Sequence, residues 1–380
     1  MKKKIIIFTS GGGQGHISAT KALQSYLGDE FDIKPVYIFN EVFKSIEPCS
    51  LLSFGKITGE DVYNYFLRRR WYKLLNFMYD LGNFYFKLQI KTMKRIAKEY
   101  LARQKPDLVI SVIPIVNGII LEAAQTNNIP FLLIPTDLDV RTFVRGIKSP
   151  SHKKFNLTLG FDDPLIRAKA DFAKIPENQI MVTGLPVRRD FFEEKDKEAI
   201  KKQYNIPEGK PVIVLMMGGQ GNSSIQIFTQ QLATLTIPVH VIICIGRDTY
   251  IKESLSSIPF NPQVSTTIIG FTDRISDLLA IADLLITKSG SVSFCEGIYM
   301  NVPMILDATA TLLYWERLNH VLLQKHDWGI CLKKASHLNK AVTKILGNPS
   351  YHQAIKESLK KYPKTRLDLE IKPIVGELLA

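Results

Sequence analysis

The feature that most constrains the fold of this chain is an apolar segment followed by a glycine-rich turn, which occurs once in each half. In the first half, Lys4–Ser10 leads into Gly11–His16. In the second half, Pro211–Met217 leads into Gly218–Ser223. Each pattern is typical of a buried strand, a tight turn and a helix start, where backbone N–H groups can bind an anion. The repetition predicts two similar α/β domains, and only the first turn ends in a histidine.

Length and composition agree with two globular domains. The chain has 380 residues, 46% of them hydrophobic and 22% charged, so each domain can bury its own core. The formal net charge of +13 favours an acidic partner, namely anionic lipid, nucleic acid or a phosphorylated substrate. The cysteines lie far apart and form no Cys-x-x-Cys pair, which predicts buried free thiols in a reducing compartment. They are Cys49, Cys244, Cys295 and Cys331.

Neither a signal peptide nor a membrane span is predicted. The apolar run after Lys2–Lys4 ends at Phe8, which is too short for a signal peptide and reads as a first strand. The longest apolar stretch, Leu108–Leu121, contains Pro114 and is too short to cross a bilayer. We therefore expect a soluble or peripheral protein.

Strand and helix patterns alternate along the whole chain, which predicts parallel, doubly wound sheets. We expect an N-terminal domain over residues 1–165 and a C-terminal domain over residues 180–365, with the linker within Phe161–Lys210. A last helix over residues 366–380 is expected to pack back on the first domain. The predicted strands are Lys4–Thr9, Ile33–Phe39, Leu108–Ile113, Phe131–Ile134, Leu157–Gly160, Pro211–Met217, Val239–Ile245, Thr266–Ile269, Leu284–Thr287 and Met304–Leu306. The predicted helical segments are Ile17–Leu27, Tyr63–Arg103, Asn117–Gln125, Ser223–Ala233, Arg274–Ala282, Val292–Met300 and Trp315–Lys325.

The segment Val62–Lys105 is unusually rich in basic and aromatic residues. Helical spacing of both types suits a helix on a membrane surface, where cations meet headgroups and aromatics meet the acyl boundary. An amphipathic helix with core aromatics and solvated charges explains the pattern about equally well. Nucleic acid is the weakest partner, because no nucleic-acid motif accompanies the charge. The expected membrane contacts are Arg68, Arg69, Arg70, Trp71 and Lys73.

The first glycine turn matches a dinucleotide fingerprint only in part, because the third glycine is absent. Glu41 follows the second strand, so a Rossmann dehydrogenase remains an alternative. The lack of Gly-Lys-Ser/Thr excludes a P-loop nucleotidase. His16 stands at the mouth of a helix, where it can remove a proton from a hydroxyl near neutral pH. The alternative is that His16 only caps or packs.

The second half contains a group of residues typical of a nucleotide-binding site. Phe271 follows one predicted strand, and Lys288–Ser291 forms a turn after the next. A turn at a helix N-terminus can hold a diphosphate by its N–H groups, and Glu296 on that helix can accept both hydroxyls of a ribose. Alone, Glu296 would be a solvated helix residue and Phe271 a core residue. In this order they indicate a nucleotide site, with Phe271 beside the base.

With these motifs the chain resembles the GT-B glycosyltransferases of the monogalactosyldiacylglycerol synthase and processive diacylglycerol glucosyltransferase group. It is similar, more distantly, to the N-acetylglucosaminyltransferase of lipid II synthesis. The resemblance spans nearly the whole chain in the expected order. The matching segments are Gly11–His16 with Ser18 and Ala19, Thr136–Leu138, Thr183–Arg188, Met217–Gly221, Gly270–Thr272, and Thr287–Gly290 through Glu296 and Gly297 to Pro303–Leu306.

The resemblance implies two Rossmann-like domains that face a cleft, with the sugar nucleotide bound by the C-terminal domain. The implied donor-binding residues are Arg188, Gly218, Gly219, Gln220, Gly221, Phe271, Lys288, Ser289, Gly290, Ser291, Glu296, Glu316 and Asn319. Among these, Glu316 and Asn319 would meet the hexose hydroxyls, and Arg188 would face the phosphates from the hinge. The family's Pro-Gly-rich loop is replaced here by Ala308–Asn319, so the identity of the sugar stays open.

The resemblance also implies an N-terminal acceptor domain, whose loop includes Gly12, Gly13 and Gly15. His16 or Asp137 would be the base, and His16 is preferred. The first loop has one residue more than the synthases and is closer to the lipid II enzyme there. Asp137 and Asp139 have the Asp-x-Asp form of a metal motif, which is weak evidence in an acceptor domain. We expect no catalytic metal and no cofactor.

The expected function is that of an inverting enzyme that moves a hexose from a UDP-sugar to a membrane lipid, most simply diacylglycerol. The expected location is the cytoplasm, peripheral on the inner face of the membrane. A lipid-linked cell-wall precursor is the alternative acceptor. A UDP-sugar epimerase of the same fold and a non-enzymatic lipid-surface module are the other classes. The basic aromatic segment disfavours the epimerase, and the joint presence of His16, Arg188 and Glu296 disfavours the module.

Overall fold

The structure, a computed structural model, describes residues 2–218, 224–248 and 250–380. The chain forms two compact units. The first unit comprises the chain up to Phe66, Leu74–Arg189 and Pro363–Ala380. The second unit comprises Leu67–Lys73 and Asp190–Tyr362. Each unit is an α/β domain with one parallel sheet, as the alternating sequence pattern predicts.

The sheet of the first unit has six strands: β1 Lys4–Thr9, β2 Asp32–Tyr37, β3 Leu108–Ser111, β4 Phe131–Leu133, β5 Phe155–Leu159 and β6 Ile180–Val182. Their order is β2-β1-β3-β4-β5-β6, and all pairs are parallel. Ile5 pairs with Ile33 on one side and Leu108 on the other. Because helices cover both faces, the apolar run of β1 is buried throughout, as parallel strands require.

Helices of the first unit flank this sheet. They are α1 Gly15–Leu27, α2 Ile38–Glu41, α3 Pro48–Leu52, α4 Gly59–Arg68, α5 Tyr72–Leu88, α6 Ile90–Gln104, α7 Asn117–Thr126, α8 Pro164–Arg167 and α17 Leu367–Leu379. The predicted helical segment Tyr63–Arg103 is thus divided among α4, α5 and α6. The first break is at Arg70, whose left-handed backbone with φ 60° does not continue a helix.

The C-terminal helix α17 packs on α1. Leu367 and Ile371 of α17 are buried in one core cluster with Ala19 and Leu23 of α1 and with Ile5 of β1. The end of the chain therefore completes the core of the first unit, although it follows the second unit in sequence.

The sheet of the second unit also has six strands: β7 Val212–Met216, β8 Val239–Cys244, β9 Val264–Ile269, β10 Leu284–Lys288, β11 Met304–Asp307 and β12 Gly329–Leu332. Their order is β12-β11-β10-β7-β8-β9, which is the Rossmann order. The helices are α9 Lys197–Gln203, α10 Ser224–Leu232, α11 Ile251–Ser256, α12 Ile275–Ala280, α13 Ser291–Tyr299, α14 Arg317–Lys325, α15 Leu338–Leu346 and α16 Pro349–Lys361.

Two short strands were not predicted. β6 lies in the segment assigned to the linker, yet Ile180 pairs with Leu157 of β5, so β6 belongs to the first unit and the main segment of the second unit begins at Asp190. β12 begins at Gly329, where the backbone of Met304 leaves no room for a Cβ. β6 has three residues and β12 has four, which is at or below the shortest pattern that identifies a strand in a sequence. Across the described ranges, no helix is both long and apolar enough to span a bilayer.

Candidate active site

The first half-site lies at the carboxyl edge of the first sheet, where the strand order reverses between β1 and β3. Such a reversal opens a crevice that doubly wound folds use for ligands. The chain leaves β1 at Thr9, passes through the glycine turn and enters α1, which carries His16 in its first turn. The predicted base is therefore placed beside the end of β3.

His16 is held by two partners. Its Nδ1 is 2.8 Å from the carbonyl oxygen of Val112 and 3.2 Å from Oγ1 of Thr136. A carbonyl only accepts, so Nδ1 carries the proton, and Nε2 is left as an acceptor with no bond to the described part of the chain. Burial lowers the pKa of His16 to about 4, and the bond to Val112 only partly offsets this. His16 is thus neutral at pH 7 and able to take a proton.

The alternative base Asp137 directly follows Thr136, the residue that contacts His16, and is half-buried. Asp139 is occupied by Arg141, whose Nε donates to its Oδ1 at 2.8 Å. Within the ranges that the structure covers, no cluster of three or more His, Cys, Asp or Glu side chains could hold a metal ion.

The first glycine turn is lined by α4. Gly13 has φ +79°, and its N–H donates to Oδ1 of Asn64 at 2.9 Å. The N–H of Gly12 donates to Oγ of Ser10 at 3.1 Å, and Gly15 is the first residue of α1. The contacts with α4 were not predicted, because nothing in the sequence of an amphipathic helix shows which polar side chains face a turn.

The second half-site lies at the equivalent reversal of the second sheet, between β7 and β10. The aliphatic stem of Lys288 lies between Gly218 and Gly290. Its Cε would be 3.2 Å from a Cβ on Gly218, which has φ +90°, and 3.1 Å from a Cβ on Gly290. The structure therefore brings Gly218, Lys288 and Gly290 together. Gly219, Gln220 and Gly221 lie outside the described residues, so their predicted role is not addressed.

Side chains of α14 form hydrogen bonds with the turn after β10. Oγ of Ser289 donates to the carbonyl oxygen of Asp307 at 3.0 Å and also contacts Nε2 of His320. Nδ2 of Asn319 donates to the carbonyl oxygen of Ser289 at 2.7 Å and to Oγ of Ser291 at 3.1 Å. Asn319 is 0% exposed, and its Nδ2 bonds to the turn were not predicted; its contact with the hexose stays a prediction. Hydrogen-bonding geometry of this kind is not visible in a sequence.

Two carboxylates lie near this turn. Oε1 of Glu316 would be 3.6 Å from a Cβ on Gly290. Burial raises the pKa of Glu316, Lys288 opposes the shift, and Asp307 adds to it. Glu296 is in α13, the helix that the Gly290 turn begins, and is 8% exposed. The positions of both residues agree with roles beside a bound nucleotide sugar, which stay predictions.

Phe271 follows β9 and has an exposed ring. The guanidinium carbon of Arg247, which follows β8, lies 4.6 Å from the centre of that ring, a cation–π distance. Arg247 was not predicted, although an arginine after a strand at the carboxyl edge is a usable signal. Arg188 is half-buried in the first unit, one residue before its boundary at Arg189. Its contact with phosphates stays a prediction.

One predicted membrane contact is wrong. Nη2 of Arg70 donates to Oδ2 of Asp307 at 2.8 Å and to Oγ1 of Thr309 at 2.6 Å. The side chains of Arg70 and Asp307 are only 15% and 4% exposed. This arginine therefore forms a largely buried ion pair and does not face a membrane. The other predicted contacts are on the surface: Arg68, Arg69, Trp71 and Lys73.

Comparisons with known proteins agree with this architecture. Residues 16–187 match the model of the monogalactosyldiacylglycerol (MGDG) synthase family, and residues 212–368 match that of the glycosyltransferase family 28 C-terminal domain. The chain is 23% identical over 367 residues to a processive diacylglycerol beta-glucosyltransferase of Bacillus licheniformis, covering 94% of this chain and 90% of the relative. A protein of the same name from Staphylococcus haemolyticus is 28% identical over 315 residues, covering 80% and 75%.

Solved structures show the same fold. MurG of Acinetobacter baumannii superposes with a TM-score of 0.58 at 13% identity, over 99% of this chain and 100% of that one. A putative UDP-N-acetylglucosamine 2-epimerase from Listeria monocytogenes gives 0.57 at 11% identity, over 99% and 96%. At these identities the likeness concerns the fold alone.

Two doubly wound domains, each with one six-stranded parallel sheet, give this chain the GT-B fold, and the family 28 match assigns it to the glycosyltransferases of that fold. Within that class, the two family matches follow one another and together span most of the chain. The chain belongs to the glycosyltransferases that join an MGDG synthase domain to a family 28 C-terminal domain.

Proposed function

We propose that this protein transfers a hexose from a UDP-sugar to diacylglycerol, with inversion at the anomeric carbon. The observation that carries the proposal is Lys288, whose stem lies between Gly218 and Gly290 in the family 28 domain. A cation beside Gly218 and the turn at Gly290 fits a diphosphate, and a relative that covers 94% of this chain is named a processive diacylglycerol beta-glucosyltransferase.

In the proposed donor site, the diphosphate binds at the N-terminus of α13, next to Lys288. Glu296 accepts the ribose hydroxyls, and Phe271 lies by the uracil. Glu316 and the loop Ala308–Asn319 meet the hexose. Lys288 and the backbone N–H groups stabilise the negative charge that develops on the leaving diphosphate.

The proposed reaction is one displacement. The acceptor oxygen forms a bond to the anomeric carbon while the bond from that carbon to the diphosphate oxygen breaks, and UDP leaves with the electron pair. Nε2 of His16 takes the hydroxyl proton. The carbonyl of Val112 holds Nδ1–H, so the ring stays in the tautomer that this step requires.

We propose that no metal takes part, because Lys288 supplies a cation at the diphosphate. Turnover should then be unchanged in excess EDTA. If turnover is lost in EDTA and restored by Mg²⁺ or Mn²⁺, a metal ion supplies the positive charge at the diphosphate instead.

The membrane-facing surface is proposed to be α5 with the segment before α4. The large apolar side chains of α5 that are exposed recur at helical spacing along one face: Leu74, Phe77, Leu81, Phe84 and Leu88. Leu51, Leu52, Phe54 and Ile57 are exposed nearby in sequence. An apolar stripe in water, flanked by exposed Arg68, Arg69, Lys73, Lys87 and Lys91, fits an anionic bilayer surface. We place this association on the cytoplasmic face.

A screen of donors and acceptors tests the proposal. The purified protein is incubated with UDP-glucose, UDP-galactose or UDP-N-acetylglucosamine and with vesicles that contain diacylglycerol, and UDP is measured. UDP release that depends on diacylglycerol is the expected result. A change of the sugar nucleotide without UDP release would instead identify an epimerase, whose fold this chain shares.

A lipid-linked cell-wall precursor is the second candidate acceptor. The resemblance to the lipid II enzyme leaves it open, although the N–H groups of Gly11 and Gly13 already donate to side chains of α4. The same screen distinguishes it, because transfer would then require a polyprenyl diphosphate sugar and would not occur with diacylglycerol.

A further inference from the structure

The first glycine turn already binds a carboxylate of the same chain. Oε1 of Glu60, in α4, accepts from the N–H of Gly11 at 2.9 Å and from Oγ of Ser10 at 2.7 Å. Its other oxygen accepts from Nδ2 of Asn40 at 2.9 Å. A carboxylate therefore lies where such a turn would otherwise receive a phosphate.

Asn64, one turn further along α4, occupies the rest of the loop. Its Oδ1 accepts from the N–H of Gly13, and its Nδ2 donates to the carbonyl oxygen of Gly11, both at 2.9 Å. A Cβ on Gly11 would be 2.7 Å from Oε2 of Glu60. The glycine at position 11 is thus explained by the approach of α4, without any bound phosphate.

We propose that Glu60 is a specificity-determining residue of the acceptor half-site, which excludes a phosphate from the first glycine turn. A phosphorylated lipid would meet a like charge and would find the N–H groups of Gly11 and Gly13 in use. Like-charge contacts are strongly unfavourable, whereas an uncharged hydroxyl headgroup has no such conflict. The selected acceptor is a lipid with an uncharged headgroup. This inference rests on the proposed function only for the identity of the site as an acceptor site.

The first test compares diacylglycerol with phosphatidic acid, which differs from it by one phosphate. Phosphatidic acid is added as an inhibitor of transfer to diacylglycerol. Phosphatidic acid should inhibit the wild-type protein weakly. It should inhibit Glu60→Ala at a concentration at least about tenfold lower, because this variant removes both the negative charge and the acceptor that occupies the N–H of Gly11. Glu60→Gln, which keeps the shape of the carboxylate but removes its charge, should change inhibition by phosphatidic acid less than Glu60→Ala does. Asp61→Ala, the neighbouring exposed carboxylate of α4, should behave as wild type.

The second test needs no activity. Amide hydrogen exchange of the turn is measured with and without inorganic pyrophosphate. In wild-type protein the amides of Gly11 and Gly13 should exchange slowly and should not respond to pyrophosphate. In Glu60→Ala, Gly11 should exchange faster and should be protected by pyrophosphate. Asn64→Ala, which should speed exchange at Gly13, serves if Glu60→Ala does not fold.

The proposal is overturned if pyrophosphate protects the wild-type turn, or if phosphatidic acid inhibits wild type and Glu60→Ala alike. If no donor and acceptor pair gives UDP, the proposed function fails, while the exchange experiment still decides whether Glu60 excludes phosphate.

Discussion

The role proposed for His16 requires a neutral ring that can accept a proton. Its pKa of about 4 lies below the ordinary 6.5 because the ring is buried, so the ring is already neutral near pH 6. The acid limb of kcat should therefore lie well below pH 6.5 if His16 is the base. A limb near pH 6.5, measured as the dependence of kcat on pH at saturating donor, would exclude this ionisation as the limiting one.

Replacing His16 tests the same residue by a second route. His16→Ala should lower kcat by about 10²- to 10⁴-fold, the usual contribution of a general base. The affinity for UDP, measured by calorimetry, should change little, since the proposed donor site is in the other unit. If kcat is unaltered, Asp137 becomes the candidate base.

Lys288 is the residue on which the donor site depends. Lys288→Met keeps the apolar stem beside Gly218 and Gly290 but removes the charge. The Kd for UDP should rise about tenfold or more, and that for uridine should stay nearly constant, because only UDP carries the diphosphate. Lys333→Met, at an exposed lysine, is the matched control. Equal weakening of UDP and uridine would mean that Lys288 supports the fold of the site rather than the phosphates.

Several site residues could be predicted from the sequence, and their positions explain why. Lys288, Ser289 and Gly290 directly follow an apolar strand, and a parallel sheet brings such turns to one edge. Glu60 and Asn319 are different. Each is a polar residue on a helix, and only the packing of that helix decides whether it meets solvent, a turn or a ligand. The same holds for Arg70, which the sequence grouped with its exposed neighbours.

At the scale of elements, α5 exposes a row of apolar side chains along one face. Phe77 and Phe84 are 62% and 60% exposed. Replacing both by Ser should reduce sedimentation with anionic vesicles, because less apolar surface enters the bilayer. Phe172→Ser, at an exposed phenylalanine outside α5, should bind vesicles as wild type. Undiminished binding of the double variant would move the membrane contact away from α5.

The division of Val62–Lys105 into α4, α5 and α6 separates roles that the sequence merged. Composition identified a basic aromatic segment but not its breaks, since the break at Arg70 requires a left-handed backbone that arginine rarely adopts. α4 packs its polar side chains on the glycine turn, while α5 exposes its apolar face. The interpretation as a membrane-surface helix therefore stays a prediction, and it now concerns α5.

At the scale of the molecule, the last helix stabilises the first unit. Ile371 is fully buried in the cluster with Leu23 of α1. Ile371→Ala should lower the free energy of unfolding of that unit by about 2–5 kcal/mol, through lost burial and the cavity left behind. Leu369→Ala, in the same helix but 60% exposed, should change it by less than about 0.5 kcal/mol. Urea unfolding followed by hydrogen exchange in the first unit measures both. Equal effects of the two variants would show that α17 does not pack as described.

The two-domain fold was predicted from the doubled glycine turn and is confirmed by both sheets and by the GT-B neighbours. The first sheet differs from the second in strand order, β2-β1-β3-β4-β5-β6 against the Rossmann order. Sequence patterns identify strands one at a time and leave their order open, because lateral pairing depends on contacts between distant residues.

The central claim is a single displacement by which a hexose passes to an uncharged lipid. NMR of the purified product made from an α-linked UDP-hexose and diacylglycerol measures this most directly. We predict one β-linked glycolipid for each UDP released. An α-linked product, or an isomerised sugar nucleotide with no glycolipid, would contradict the claim.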